Sequence, residues 1–196
     1  GLNGELVNIS LSFSSGQQFP VYPNGQREGA LPNVRIGIFP TQTIATSYFP
    51  DGSVKTAIAR VLVTQGTGEV TYPIQTSGNT YTPFDLASDN PSVYAMLNGT
   101  GGSGSELKAV ASDLFGHVYA TKFNFTDSIL VENGPVVQVY EFTKRNAYIS
   151  GTGITNDGSK PPLPYLFTTK FWVTVVKGKS YVKIDHMVIN SDNLSE

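Results

Sequence analysis

The sequence predicts an all-β protein built from antiparallel strands in two domains. Three observations carry this: hydrophobic alternation with period two in both halves, turn residues between the apolar runs, and almost no helical periodicity. With 196 residues the chain has room for one large β domain or two small ones. Hydrophobic residues are 39% and aromatics 11%, which supplies a core and argues against wholesale disorder.

The elements follow in order. From Leu6 to Phe13, the residues Val7, Ile9, Leu11 and Phe13 alternate with Asn8, Ser10 and Ser12, the pattern of a half-buried strand. Val34, Ile36 and Ile38 alternate with Arg35 and Gly37 in the same way. Thr43–Phe49 and Val54–Thr64 are β-rich runs joined by Pro50-Asp51-Gly52-Ser53. There Asp51 is expected to hold the turn by local hydrogen bonds and Gly52 to supply a positive φ, so both are read as structural. A strand over Val70–Thr76 ends the first domain, assigned to residues 1–80. Residues 77–92, with Pro83 and Pro91, break regular structure, and the second domain is assigned to residues 85–196. Asn98–Ser105 reads as a surface loop, and Glu106–Leu114 as the single helical stretch. Val118–Phe125 is β-patterned, with Tyr119, Phe123 and Phe125 on one face. Glu132-Asn133-Gly134-Pro135 is expected to turn the chain into a strand over Val136–Phe142. A loop over 150–164 holds Asn156-Asp157-Gly158, a turn sequence, and Pro161-Pro162. The last hairpin pairs Leu166–Val176 with Tyr181–Asn190 through Lys177-Gly178-Lys179-Ser180. Its expected core-facing residues are Phe167, Phe171, Val173 and Val175, then Val182, Ile184 and Val188.

Charge excludes several partners. Charged residues are 14%, against roughly 25% in an average soluble domain, so Ser, Thr, Asn, Gln and Gly must cover the surface. That style suits an extracellular, cell-surface or virion setting. Net charge is -2 and no basic run exceeds Lys144-Arg145, which argues against nucleic acid. No apolar run approaches the roughly 18 residues of a membrane span, so no membrane insertion is expected. Cysteine is absent, which removes disulfides, zinc–thiolate sites and a cysteine nucleophile. The Asn-X-Ser/Thr sequons at Asn8, Asn98, Asn124 and Asn193 are compositional in a chain this rich in Asn, Ser and Thr.

Chemistry-bearing residues are scattered. His117 and His186 are the two histidines, and their spacing matches no metal motif. Alternation puts His186 beside Ile184 and Val188 as a core histidine, while His117 after Gly116 is expected to be exposed. No G-x-S-x-G elbow is present, and the carboxylates suggest no glycosidase pair. No metal, cofactor or catalytic residue is expected. Trp172, the single tryptophan, alternates out of phase with Phe171 and Val173 and shares a face with Lys170 and Thr174. An outward indole flanked by amine and hydroxyl groups suits stacking on a sugar ring, so Trp172, Lys170 and Thr174 are the carbohydrate-binding candidates. The competing reading, that Trp172 packs on a neighbouring domain or subunit, is favoured by the enrichment of aromatics at interfaces.

Two stretches carry a resemblance. Phe49-Pro50-Asp51-Gly52-Ser53-Val54-Lys55 resembles the W-P-D-G-S-[VIL]-[KR] hairpin of exo-rhamnogalacturonan lyase-like (YetA-like) proteins. Val131-Glu132-Asn133-Gly134-Pro135-Val136, then Phe167-Thr168-Thr169-Lys170 and Val182-Lys183-Ile184-Asp185-His186, look like that family's E-x-G-P-[VL] and F-x-x-R … V-R-[VIL]-E-H strands. Phe49 stands in place of the usual Trp, Lys170 of Arg and Asp185 of Glu. The resemblance spans about residues 6–192 and implies a small N-terminal RIFT-like β-barrel followed by an antiparallel β-sandwich. The family's catalytic cleft belongs to an α/α barrel with no counterpart in these residues, and Ser191–Glu196 reads as a linker. The same two-domain module is shared by phage and bacterial surface proteins.

The expected function is therefore a non-catalytic structural or interaction module of a virion (tail or capsid-associated) or cell-surface assembly, with protein partners or self-association. The alternative is a carbohydrate-engaging accessory region of a polysaccharide lyase, with a glycan as partner. Lyase or hydrolase activity is not expected of the 196 residues themselves.

Overall fold

A computed structural model describes residues 4–17, 30–31, 34–63, 71–76, 82–102, 106–150 and 164–189. Among these, 56% lie in strands and 8% in helices, so the fold is mostly β. The elements are β1 (Glu5–Ser12), β2 (Arg35–Ile36), β3 (Thr41–Tyr48), β4 (Val54–Val63), β5 (Ile74–Gln75), α1 (Leu86–Asp89), α2 (Pro91–Leu97), β6 (Lys108–Ser112), β7 (Val118–Lys122), β8 (Ser128–Asn133), β9 (Val137–Ser150), β10 (Tyr165–Val176) and β11 (Val182–Ile189). By contact the chain forms two compact units, a partition that does not follow chain order. The first is Gly1–Pro91, Leu130–Val139 and Thr174–Val182; the second is Ser92–Ile129, Tyr140–Val173 and Lys183–Glu196.

In the first unit, β1, β4 and β3 form a three-stranded antiparallel sheet with β4 in the centre. Alternation sets its two faces. Ala57, Ala59 and Val61 of β4 pack with Leu11, Leu31, Val34, Ile36, Phe39 and Val54 as one buried cluster. Burying each large aliphatic here contributes on the order of 1.5–3 kcal/mol. The opposite face takes Leu62 into a second cluster with Val136, Val137 and Val176. A short β2–β5 ladder also belongs to this unit. The β3–β4 turn is the expected hairpin: Phe49 N–H donates to the Ser53 carbonyl at 2.8 Å, and Gly52 sits at φ 81°.

The second sheet runs β11-β10-β9-β7-β6, with β8 paired to β9. The second unit's core is aromatic. Phe123 lies 5.4 Å from Phe125 and 5.5 Å from Phe142, and Phe142 stacks on Phe171 at 6.0 Å. Offset and edge-on contacts of this kind add to area burial. Phe167, within β10, has φ 59°, a left-handed backbone that is strained for a bulky residue.

Four expectations change. Glu106–Leu114 is not the helical stretch: Lys108–Ser112 is β6, paired antiparallel with β7, because cross-strand pairing outweighs the weak helix preference of a short Ala-containing run. Of the helices, α1 lies in the tract read as structure-breaking and α2 begins at its end. Asp85 caps α1 by accepting from Ala87 N–H at 3.0 Å, and Pro91 opens α2 at its first position, where a missing N–H costs nothing. Glu132 and Asn133 are the last two residues of β8 and are not part of a turn. On β11, Ile184 and Val188 are exposed and Val182 is half-buried, since the strand lies at a sheet edge. The Asn156-Asp157-Gly158 turn, Pro161-Pro162, Asn193 and Ser191–Glu196 lie outside the described residues.

Candidate functional site

The most constructed polar site is in the first unit and centres on Glu132. Its carboxylate is buried at 1% exposure. Gln42 Nε2 and Arg60 Nη1 each donate to Glu132 Oε1 at 2.6 Å. Gln42, fully buried, also accepts from Val136 N–H at 3.2 Å and Val137 N–H at 2.8 Å through Oε1. A buried charge persists only when paired and hydrogen-bonded, and this one is both. Gly134 leaves the space: a Cβ there would come within 2.2 Å of the Gln42 amide. The Glu-Asn-Gly-Pro stretch thus places a charge and a close approach on one latch. Sequence reasoning missed it because its partners Gln42 and Arg60 are more than 70 positions away. The isolated Arg60 among the apolar residues of β4 was the available signal.

Asp51 and Gly52 sit as expected at the β3–β4 turn. Asp51 accepts from Ser53 N–H at 2.9 Å, the Ser53 hydroxyl at 2.6 Å and the Ser15 hydroxyl at 3.0 Å. These bonds, the Ser53 hydroxyl first, hold its carboxyl below the usual aspartate range.

The two histidines exchange places relative to expectation. His117 is 3% exposed. It is held under the β6–β7 turn, where Asp113 Oδ1 accepts from the Phe115 and His117 amides, each at 2.9 Å, and Asp113 Oδ2 faces His117 Nδ1 at 2.7 Å. Desolvation raises the Asp113 pKa, but the bonds from His117 and Phe115 outweigh it and the net shift is downward. His186 is exposed on β11, its ring 4.8 Å from Phe171. Alternation does select its face correctly; the edge position leaves that face uncovered.

The carbohydrate candidates lie on β10. Burial alternates there, with Phe171, Val173 and Val175 buried and Lys170, Trp172 and Thr174 half-buried. Within the second unit, Lys170 Nζ lies 4.6 Å from the centre of the Trp172 ring and 2.7 Å from Glu141 Oε1. Trp172 Nε1–H donates to Glu141 Oε2 at 2.8 Å. The bond from Lys170 is the main reason the Glu141 carboxyl is held below the usual glutamate range, against a smaller opposing effect of burial. Lys170 therefore occupies one face of the indole, a cation–π contact. Thr174, on the same strand, belongs to the first unit.

Among the described residues no three His, Cys, Asp or Glu side chains come together to hold a metal ion, and no helix is long and apolar enough to cross a membrane. The most exposed regular element is β11. All seven residues Lys183–Ile189 are exposed, including Ile184 (40%), Met187 (49%) and Val188 (54%). No protein-family model matches the chain, nor does any curated protein or any solved structure.

Proposed function

We propose that the chain is a non-catalytic β-rich structural or interaction module of a virion or cell-surface assembly, docking to protein partners or to further copies of itself. The observation that carries this reading is β11, a sheet-edge strand whose residues Lys183–Ile189 are exposed on both faces and largely apolar. Among the described residues β11 pairs with β10 alone, and such an edge offers a row of backbone donors and acceptors for strand addition. Lys183 and Asp185 are the charges on this segment, paired with each other at 2.8 Å, so little repulsion opposes an incoming strand. The module is read as a small N-terminal RIFT-like β-barrel over residues 1–80 and a β-sandwich over 85–196. The resemblance to YetA-like proteins and the mostly β composition support this finer architecture. The sparse charge supports an extracellular, cell-surface or virion setting.

Sedimentation velocity over a range of concentrations tests the proposal, comparing the chain with an Ile184→Lys/Val188→Lys double variant whose circular dichroism is unchanged. Larger species that grow with concentration and vanish in the variant are expected. The second reading, a carbohydrate-engaging accessory region of a polysaccharide lyase, draws on Trp172, a half-buried indole beside two charged groups. A chain that sediments as a monomer throughout, and is retained on pectin unless Trp172→Ala is introduced, would favour that reading instead.

A further inference from the structure

The first unit carries an open concavity of about 240 Å³, lined by Ile44, Ala45, Thr46, Ile58 and Arg60. On β4, Ile58 and Arg60 alternate with the core residues Ala57, Ala59 and Val61, so they belong to the opposite face of the sheet. Register pairs Ile58 with Ile44 of β3 and with Ser10 of β1, and Arg60 with Asn8. The site thus has aliphatic walls from Ile44 and Ile58, a threonine and one guanidinium. Arg60 is held in place from beneath: its Nη1 donates to the buried Glu132 at 2.6 Å, yet its side chain keeps 23% exposure. A guanidinium has five N–H donors in a rigid fork, and among the described residues Glu132 takes one of them.

We infer that this concavity binds a short aliphatic carboxylic acid as its monoanion, with the carboxylate on Arg60 and the alkyl chain against Ile44 and Ile58. The guanidinium fork matches a planar carboxylate. Because Glu132 fixes the Arg60 side chain in advance, little rotamer entropy is lost when ligand arrives. The aliphatic walls reward a carbon chain that inorganic phosphate lacks. This inference does not depend on the assembly reading.

Titration of the full chain followed by amide proton–nitrogen NMR tests it, with butyrate, inorganic phosphate and butylamine as probes. Butyrate should give saturable shifts at the amides of Ile44–Thr46 and Ile58–Arg60, with a dissociation constant in the millimolar range, while the other two probes give none. Ile58→Glu replaces an aliphatic wall by a carboxylate beside Arg60 and should weaken butyrate at least about tenfold. Thr46→Glu makes the same measurement if the first variant loses its dispersed spectrum. Non-saturating butyrate shifts, equal saturation by phosphate, or undiminished binding in the folded rim variant would overturn the inference.

Discussion

Among the described residues, Glu132 in the first unit and Glu141 in the second each accept from a cation and a neutral donor, yet they do different work. Glu132 is 1% exposed and joins Arg60 to Gln42. Glu141 retains 28% of its side-chain exposure and joins Lys170 to Trp172. Water can take over every partner of Glu141, whereas Gln42 and the Val136 and Val137 amides have no solvent to turn to. The same set of bonds is therefore a structural requirement in one place and a surface ornament in the other, and burial alone makes the difference.

Removing Glu132 should have the largest effect. Glu132→Ala leaves the buried Gln42 amide without its acceptor and is expected to cost about 3 kcal/mol, read as a lowered denaturant midpoint. Gly134→Ala should act on the same latch, because Gln42 is fully buried and cannot give way to a Cβ 2.2 Å distant. A smaller cost, about 1–3 kcal/mol, is expected of Gly52→Val, which forces φ 81° on a β-branched residue. Unchanged melting of Gly52→Val with loss of partner binding would make that turn functional rather than structural.

Lys170→Ala should move stability by no more than about 1 kcal/mol, as expected for a partly exposed pair. Its signature is spectroscopic, since Trp172 is the single tryptophan. The folded Glu141 carboxyl titrates below its unfolded value, so its stabilisation is complete above the ordinary glutamate range and fades as pH falls through the folded value. Trp172 emission should change in that acidic window, and Lys170→Ala should move the transition upward. An identical transition in both proteins would detach the indole from Glu141.

Strands were legible where one face is buried and the pattern is local. β1, β3, β4 and β10 lie close to their expected limits because period-two alternation and the Pro50–Ser53 and Lys177–Ser180 turns state them outright, and β11 does so through its turn although both its faces are exposed. What remained hidden depends on partners distant in sequence. β6 is a strand through pairing with β7, and Glu132 is buried through residues on β3 and β4. The histidines show the limit of alternation: it names a face but not whether that face is covered. For His186 the sheet ends, and for His117 the Asp113 turn closes over it. Trp172, Lys170 and Thr174 share their alternating phase as read, while the covering of the indole by Lys170 depends on side-chain positions that spacing does not encode.

The proposal that β11 is a docking edge is tested most directly by amide hydrogen exchange at low and high protein concentration. The account predicts that the Lys183–Ile189 amides gain protection as concentration rises, while the amides of β4, central in its own sheet, stay unchanged. Protection of β11 that is the same at every concentration, in a chain that sediments as a monomer, would contradict self-association through that strand.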